Sequence, residues 1–172
     1  TGYSQVAIGY RALNACTTGS RNIAIGYDCM RPATTAYQNV GIGENCFIAE
    51  LTGNTNVGIG AWATTNMTSG SNNVAVGGSA LASTTTASNN TAIGKSALYA
   101  NTTGASNTAV GTTAGNSITT GSNLTCIGYD ADSSAVDATN EITLGNSSVA
   151  TLRCQVTSIT ALSDRRDKTD IN

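Results

Sequence analysis

Histidine is missing from the 172-residue chain, and proline, tryptophan and phenylalanine occur once each. Without an imidazole there is no His-based catalytic triad and no imidazole metal site. Charge is also scarce. Eight Lys+Arg and ten Asp+Glu make up 10% of the residues, with a net charge of −2, where about 25% is ordinary. So few cations cannot form the basic face that phosphate backbones require, which excludes nucleic acid as a partner. No run of about 18 apolar residues is present, so neither a membrane-spanning helix nor membrane insertion is expected. No signal-peptide pattern precedes the repeats, and the chain, opening on Thr1, reads as a segment of a longer polypeptide. Leu, Ile, Val and Phe total only 30 residues. That level accompanies disorder only when net charge is high, and here it is not.

Ser, Thr and Asn take the vacated share, at more than a third of the chain, and they are arranged with a strict period. Gly9, Gly26, Gly43, Gly60, Gly77, Gly94, Gly111, Gly128 and Gly145 stand 17 residues apart without an insertion or deletion. One residue before each stands Ile, Val or Leu, from Ile8 to Leu144, and three before stand Val6, Ile23, Val40, Val57, Val74, Thr91, Thr108, Thr125 and Ile142. Between these two columns runs a small one: Ala7, Ala24, Gly41, Gly58, Ala75, Ala92, Ala109, Cys126 and Thr143. Residues two apart share one face of a strand, and β-branched residues favour strands.

Each repeat therefore reads as one coil of an all-β parallel solenoid, or β-roll, of nine 17-residue coils. A short strand such as Val74–Val76 ends at the Gly. A second short strand such as Ser79-Ala80-Leu81 follows, and a polar loop returns the chain. Coils stacked about 4.8 Å apart make a rod on the order of 40 Å long. The loop glycines Gly2, Gly19, Gly53, Gly70, Gly104 and Gly121 suit a turn with positive φ. The Ile/Val columns are expected inside, and the Ala/Gly column is expected to pack against other copies of the chain in an obligate homotrimer.

Several polar columns have two readings each. Asn22, Asn39, Asn56, Asn73, Asn90 and Asn107 could coordinate a ligand, but stacked amides bonded along the axis are the commoner arrangement. Thr1, Thr18, Thr35, Thr52, Ser69, Thr86, Thr103 and Thr120 could form an ice-binding face or a side-chain to backbone ladder closing each turn. Asp130, Asp132, Asp137 and Glu141 could attract Ca²⁺, yet they lack the spacing of a calcium loop and fit a solvated solenoid end better. No metal site and no cofactor is expected. Cys29 and Cys46 share a column with parallel side chains, a poor approach for a bridge, so free buried thiols are expected. Tyr10, Tyr27 and Trp62, on variable columns, could stack on sugars or be ordinary surface aromatics.

The units Asn73-Val74-Ala75-Val76-Gly77, Asn90-Thr91-Ala92-Ile93-Gly94 and Asn107-Thr108-Ala109-Val110-Gly111 resemble the head repeats of trimeric autotransporter adhesins, which are trimers of parallel β-rolls. Similar repeats occur in bacteriophage tail fibres, and the resemblance spans roughly residues 1–149. After a connecting strand or neck at 150–162, residues 163–172 resemble the opening of the intramolecular chaperone domain of phage tail spikes and fibres. The pattern Ser-Asp-x-Arg-x-Lys-x-x-Ile is met at Ser163, Asp164, Arg166, Lys168 and Ile171. That family trimerises, assists folding and cuts itself off before the Ser. By resemblance, Ser163 and Lys168 would be its catalytic pair.

These likenesses imply a structural and adhesive segment of a trimeric phage tail fibre, located on the virion. Its partners would be other fibre segments and a host-surface receptor, a glycan among the candidates. The alternatives are the head of a bacterial trimeric surface adhesin, on the cell surface, and an ice-binding solenoid. An enzyme such as a β-helix acyltransferase is disfavoured by the absent His and the lack of a hexapeptide repeat.

A hydroxyl beside the scissile bond can attack its own carbonyl if a base is near, and Lys168 serves only if a folded downstream domain lowers its pKa well below about 10.4. The full-length parent is therefore expected to break between Leu162 and Ser163, while a chain ending at Asn172 stays intact. Mass spectrometry of the mature parent checks this: a product ending at Leu162 and lost on Ser163→Ala is the expected result, and an uncut chain in assembled particles contradicts it.

Overall fold

Three residues of each repeat are straight enough to pair as strand, and the remainder curves back to begin the next. The structure, a computed structural model, describes residues 4–153. Its strands are β1 Val6–Ile8, β2 Ile23–Ile25, β3 Val40–Ile42, β4 Val57–Ile59, β5 Val74–Val76, β6 Thr91–Ile93, β7 Thr108–Val110, β8 Thr125–Ile127 and β9 Ile142–Leu144. They form one sheet in the order β1 to β9, every neighbouring pair parallel. Val57 lies opposite Val74 and Ile59 opposite Val76, so the register is the repeat itself. Among the described residues there is no helix. The chain is a parallel β-solenoid.

The interior is narrow, and this reverses the expected faces. Ala24, Gly41, Gly58, Ala75, Ala92, Ala109 and Cys126, the middle residues of β2 to β8, point inward and are fully or almost fully buried. Ile and Val on either side point outward: Ile8 is 58% exposed, Ile93 42% and Ile127 44%. The expectation that Ile/Val fill the coil while Ala/Gly face another copy is therefore wrong. The opposite wall explains it. Met30, Phe47, Leu81 and Leu98 reach in from beyond the strand and occupy the width. A Cβ on Gly41 would lie 3.1 Å from Met30 Cε, and one on Gly58 2.7 Å from Phe47. Glycine thus stands in the strand where the facing side chain is largest, the size complementarity expected of a close-packed core.

A second strand is not formed. The segment after each repeat glycine is a chain of turns in which left-handed residues alternate with right-handed ones, such as Ser79 (φ 58°) and Leu81 (φ 52°) after Gly77 (φ 135°). Such residues are uncommon. The alternation bends the chain sharply while keeping its amides available to neighbouring coils: Ser79 N donates to Ala61 O at 3.0 Å and Leu81 N to Ala97 O at 3.0 Å. Two straight strands could not close so short a coil.

The glycine requirements also fall in different places from those expected. Positive φ belongs to the repeat glycines, at 121–141° from Gly9 to Gly128 and 77° at Gly145. A Cβ on Gly26 would in addition meet the Gly43 carbonyl oxygen at 2.3 Å. Gly19, Gly53, Gly70, Gly104 and Gly121 do not have positive φ. They are needed for close stacking, since a Cβ on Gly53 would approach the Gly70 oxygen to 1.9 Å. Leu152 is exposed and outside any strand. Ala150, Thr151 and Arg153 are likewise exposed and outside any strand, while residues 154–162 of the expected neck lie outside the described residues, as do Thr1, Gly2 and residues 163–172.

Ala75→Arg is expected to unfold its coil rather than merely separate copies, because it buries an unpaired cation at a cost of several kcal/mol. Thermal melts at several protein concentrations check this. A variant that melts like the native chain and loses only self-association would reverse the face assignment.

Candidate functional site

Three surfaces and one interior ladder hold the residues singled out by the repeat. The ladder is the Asn column, which is buried from Asn22 to Asn107. Asn56 Nδ2 donates to the Gly70 carbonyl at 2.8 Å, and its Oδ1 accepts from Asn73 N at 3.0 Å and Asn73 Nδ2 at 3.1 Å. The pattern repeats at Asn39, Asn73 and Asn90. An amide suits this position because it donates and accepts at once, satisfying a loop carbonyl and a strand amide that would otherwise be buried unpaired. The expected stacking of amides holds, and these side chains have no capacity left for a ligand. Gln5 takes the place of Asn in the first coil and donates to Gly19 O at 2.6 Å. Leu124 ends the ladder, its amide donating to Asn107 Oδ1 at 3.0 Å.

The threonine ladder exists one column earlier than expected. Thr68, Thr85, Thr102 and Thr119 each donate Oγ1 to the carbonyl one coil on, at 3.1–3.3 Å. In the column proposed for this role, Thr18 to Thr120, all members are exposed and only Thr52 makes such a bond, to Thr68 O at 3.3 Å.

The acidic residues cap the far end. Glu141 accepts from Ser134 N at 3.0 Å and from its hydroxyl, and these bonds hold its carboxyl below the usual range. Asp132 accepts from Ser117 N at 3.1 Å and Ser133 N at 3.0 Å. A shallow cleft of about 380 Å³ opens beside Asp130 and Asp132. Among the described residues no group of three or more potential ligands is gathered for a metal.

Cys16, Cys29, Cys46 and Cys126 are free thiols, the last three buried. A hydrogen bond from Cys46 lowers the Cys29 pKa, and the same pairing together with burial raises that of Cys46. Burial, with the charges of Asp132 and Glu141, raises Cys126 to about 11.

The aromatic residues separate. Tyr10 and Tyr27 stack with centroids 5.2 Å apart and planes 19° from parallel. Trp62 stands exposed two coils further on, outside that stack. Arg11, whose guanidinium carbon lies 5.9 Å from the Tyr10 centroid, also lines a cleft of about 330 Å³ with Asn14, Ala15, Arg31 and Pro32, which column-by-column reading of the sequence missed. Its signal was a spacing of one repeat plus three residues between Arg11 and Arg31. The third surface is the outward Val/Ile face of the sheet. Ser163, Asp164, Arg166, Lys168 and Ile171 lie outside the described residues.

The sequence matches no family model, and neither curated proteins nor solved structures show a match to it.

Asn56→Ala removes the partners of Gly70 O and Asn73 N in the dry interior. Each orphaned group costs about 1–3 kcal/mol. The expected loss is thus about 2–6 kcal/mol, read from denaturant unfolding. A change under 0.5 kcal/mol would show that the ladder contributes little.

Proposed function

We propose that this chain is a structural and adhesive segment of a trimeric phage tail fibre that takes part in attachment to host surfaces. The observation that carries the reading is the uncovered apolar face. Val and Ile flank the middle residue on β1 to β5, Thr takes the first of the two flanking places on β6 to β8, and the outward column after the middle residue remains 36–58% exposed at Ile8, Ile42, Ile59, Ile93, Val110, Ile127 and Leu144. A contiguous apolar stripe along successive stacked strands is the kind of surface that marks a contact with another protein. Closed rotational symmetry covers it by bringing equivalent faces together on a common axis, and the resemblance of the repeats to adhesin heads favours three copies. In this arrangement the Val/Ile columns, and not the Ala/Gly column, form the contact between copies.

The remaining surfaces agree with a binding rather than a catalytic role. The Asn column and Thr68, Thr85, Thr102 and Thr119 are committed to neighbouring coils, and the chain has no His to serve as a base at neutral pH. The tail pattern at Ser163 to Ile171 supports the phage reading by resemblance alone.

Ile59→Lys and Ile93→Lys place a charge on the outward face without touching the coil interior. Both are expected to reduce the native trimer to monomers that keep the β-sheet circular dichroism of the parent, as read by analytical ultracentrifugation. A native chain that sediments as a monomer at micromolar concentration overturns the trimer. Attachment is checked separately by competition: the purified chain is expected to reduce adsorption of fibre-bearing particles to host cells, and unchanged adsorption counts against adhesion.

A further inference from the structure

The two ends of the rod carry opposite charge. In residues 4–37 stand Arg11, Arg21 and Arg31 against Asp28 alone, whereas Asp130, Asp132, Asp137 and Glu141 gather in the last coils. Two of the three arginines line one cleft. Arg11 and Arg31 approach it from neighbouring coils, with Asn14 at its rim and Ala15 and Pro32 as its apolar wall. Arg21 is spent elsewhere, hydrogen-bonded to the Tyr37 hydroxyl and lying 5.2 Å from that ring.

Arg11 is held in position without being neutralised across its whole fork. Its Nε lies 3.4 Å from Asp28 Oδ1 and its guanidinium carbon 5.9 Å from the Tyr10 centroid. Its terminal nitrogens have no acceptor among the described residues. Arg31 and Asn14 have no side-chain hydrogen bond or ion pair there either. The cleft thus presents two guanidinium groups and a carboxamide to solvent. Planar guanidinium forks match the oxygens of a carboxylate or sulfate in a bidentate manner. The amide both donates to and accepts from hydroxyls. Alongside, joined to the cleft through Arg11, stand the exposed Tyr10 and Tyr27 rings, whose apolar faces and phenolic tips suit the C–H faces and hydroxyls of a sugar.

We propose that this cleft binds an acidic saccharide, its carboxylate or sulfate held between Arg11 and Arg31 and the adjoining sugar resting beside Tyr10 and Tyr27. Asp28 steadies Arg11 and offsets one of the two cationic charges, leaving a net charge of one guanidinium at the cleft. The inference deepens the attachment reading and rests on it for its biological setting. The binding itself is a property of these residues and is measured apart from attachment.

The test is titration of the isotopically labelled full chain, followed by NMR, with four probes: an unsulfated disaccharide containing glucuronate, its sulfated form, lactose, and inorganic sulfate. The expected result is saturable binding of one or both acidic disaccharides, with shifts centred on Arg11, Asn14, Arg31 and the two tyrosines. Which form binds more tightly tells a carboxylate site from a sulfate site. Lactose and inorganic sulfate are expected to bind at least tenfold more weakly. Arg31→Ala and Arg31→Lys should each weaken the acidic disaccharide at least tenfold, the second because it keeps the charge and loses the fork. Tyr27→Ala should weaken the disaccharide and leave sulfate unchanged. The inference is overturned if neither acidic disaccharide saturates, if Arg31→Lys binds as the native chain does, or if sulfate alone binds as tightly as the sugar. Should the sugars fail while the chain still competes for host cells, this site falls and attachment stands. Should the sugars bind while competition fails, attachment falls and the site stands.

Discussion

Parallel hydrogen bonding between each coil and the next is the constraint from which the rest of the molecule follows. Gly60 N reaches Ile42 O at 2.8 Å, and Gly77 N reaches Ile59 O at 2.7 Å; the same link recurs at every later step to Gly145. Because the partner always lies one repeat away, a residue inserted within a coil must be bulged out of the stack, or it shifts the rest of that coil against the coil before it. The uninterrupted spacing of the repeat glycines is the trace of that demand. So is their identity, since the carbonyl of the following coil leaves no room for a Cβ.

Stacking fixes the height of a coil but also limits its width. An interior lined on one side by Met30, Phe47, Leu81 and Leu98 has space on the other only for Gly, Ala or Cys. Large branched residues in the strand are therefore displaced outward, and the ordinary association of hydrophobicity with the inside inverts locally. The Asn ladder completes the interior by supplying polar partners where loop and strand backbones meet, so the dry core contains few orphaned groups. Among the described residues the exceptions are Asp28 Oδ1 and Asn101 Oδ1. The first of these is the atom that steadies Arg11 electrostatically.

Period, register, parallel pairing and the stacked amides were legible from columns of residues, because identical neighbours in a stack must satisfy the same geometry. The facing of the strand was not. Val and Ile alone cannot reveal which side is interior; the deciding cue was the large apolar column Leu13, Met30, Phe47, Leu81, Leu98, which claims the same volume from the opposite wall. Nor could the left-handed residues be read, since Arg11, Asp28, Phe47 and Trp62 share that conformation without sharing chemistry. It is imposed by the stack. The Arg11–Arg31 cleft escaped because it joins different columns of successive coils, and reading one column at a time never sets those two residues side by side.

The perpendicular course of the strands has a mechanical consequence. Tension along the rod pulls directly on the bonds between coils, while the covalent chain crosses each interval only once per repeat. A closed coil contributes about 4.8 Å of length. The same 17 residues drawn out span about 56–61 Å. Each coil that detaches therefore releases slack more than tenfold its resting height, and it does so from the ends inward, where one neighbour is absent. A solenoid built this way yields in discrete steps under load before its peptide bonds bear strain, and each detached coil has the remaining one as a template for rewinding.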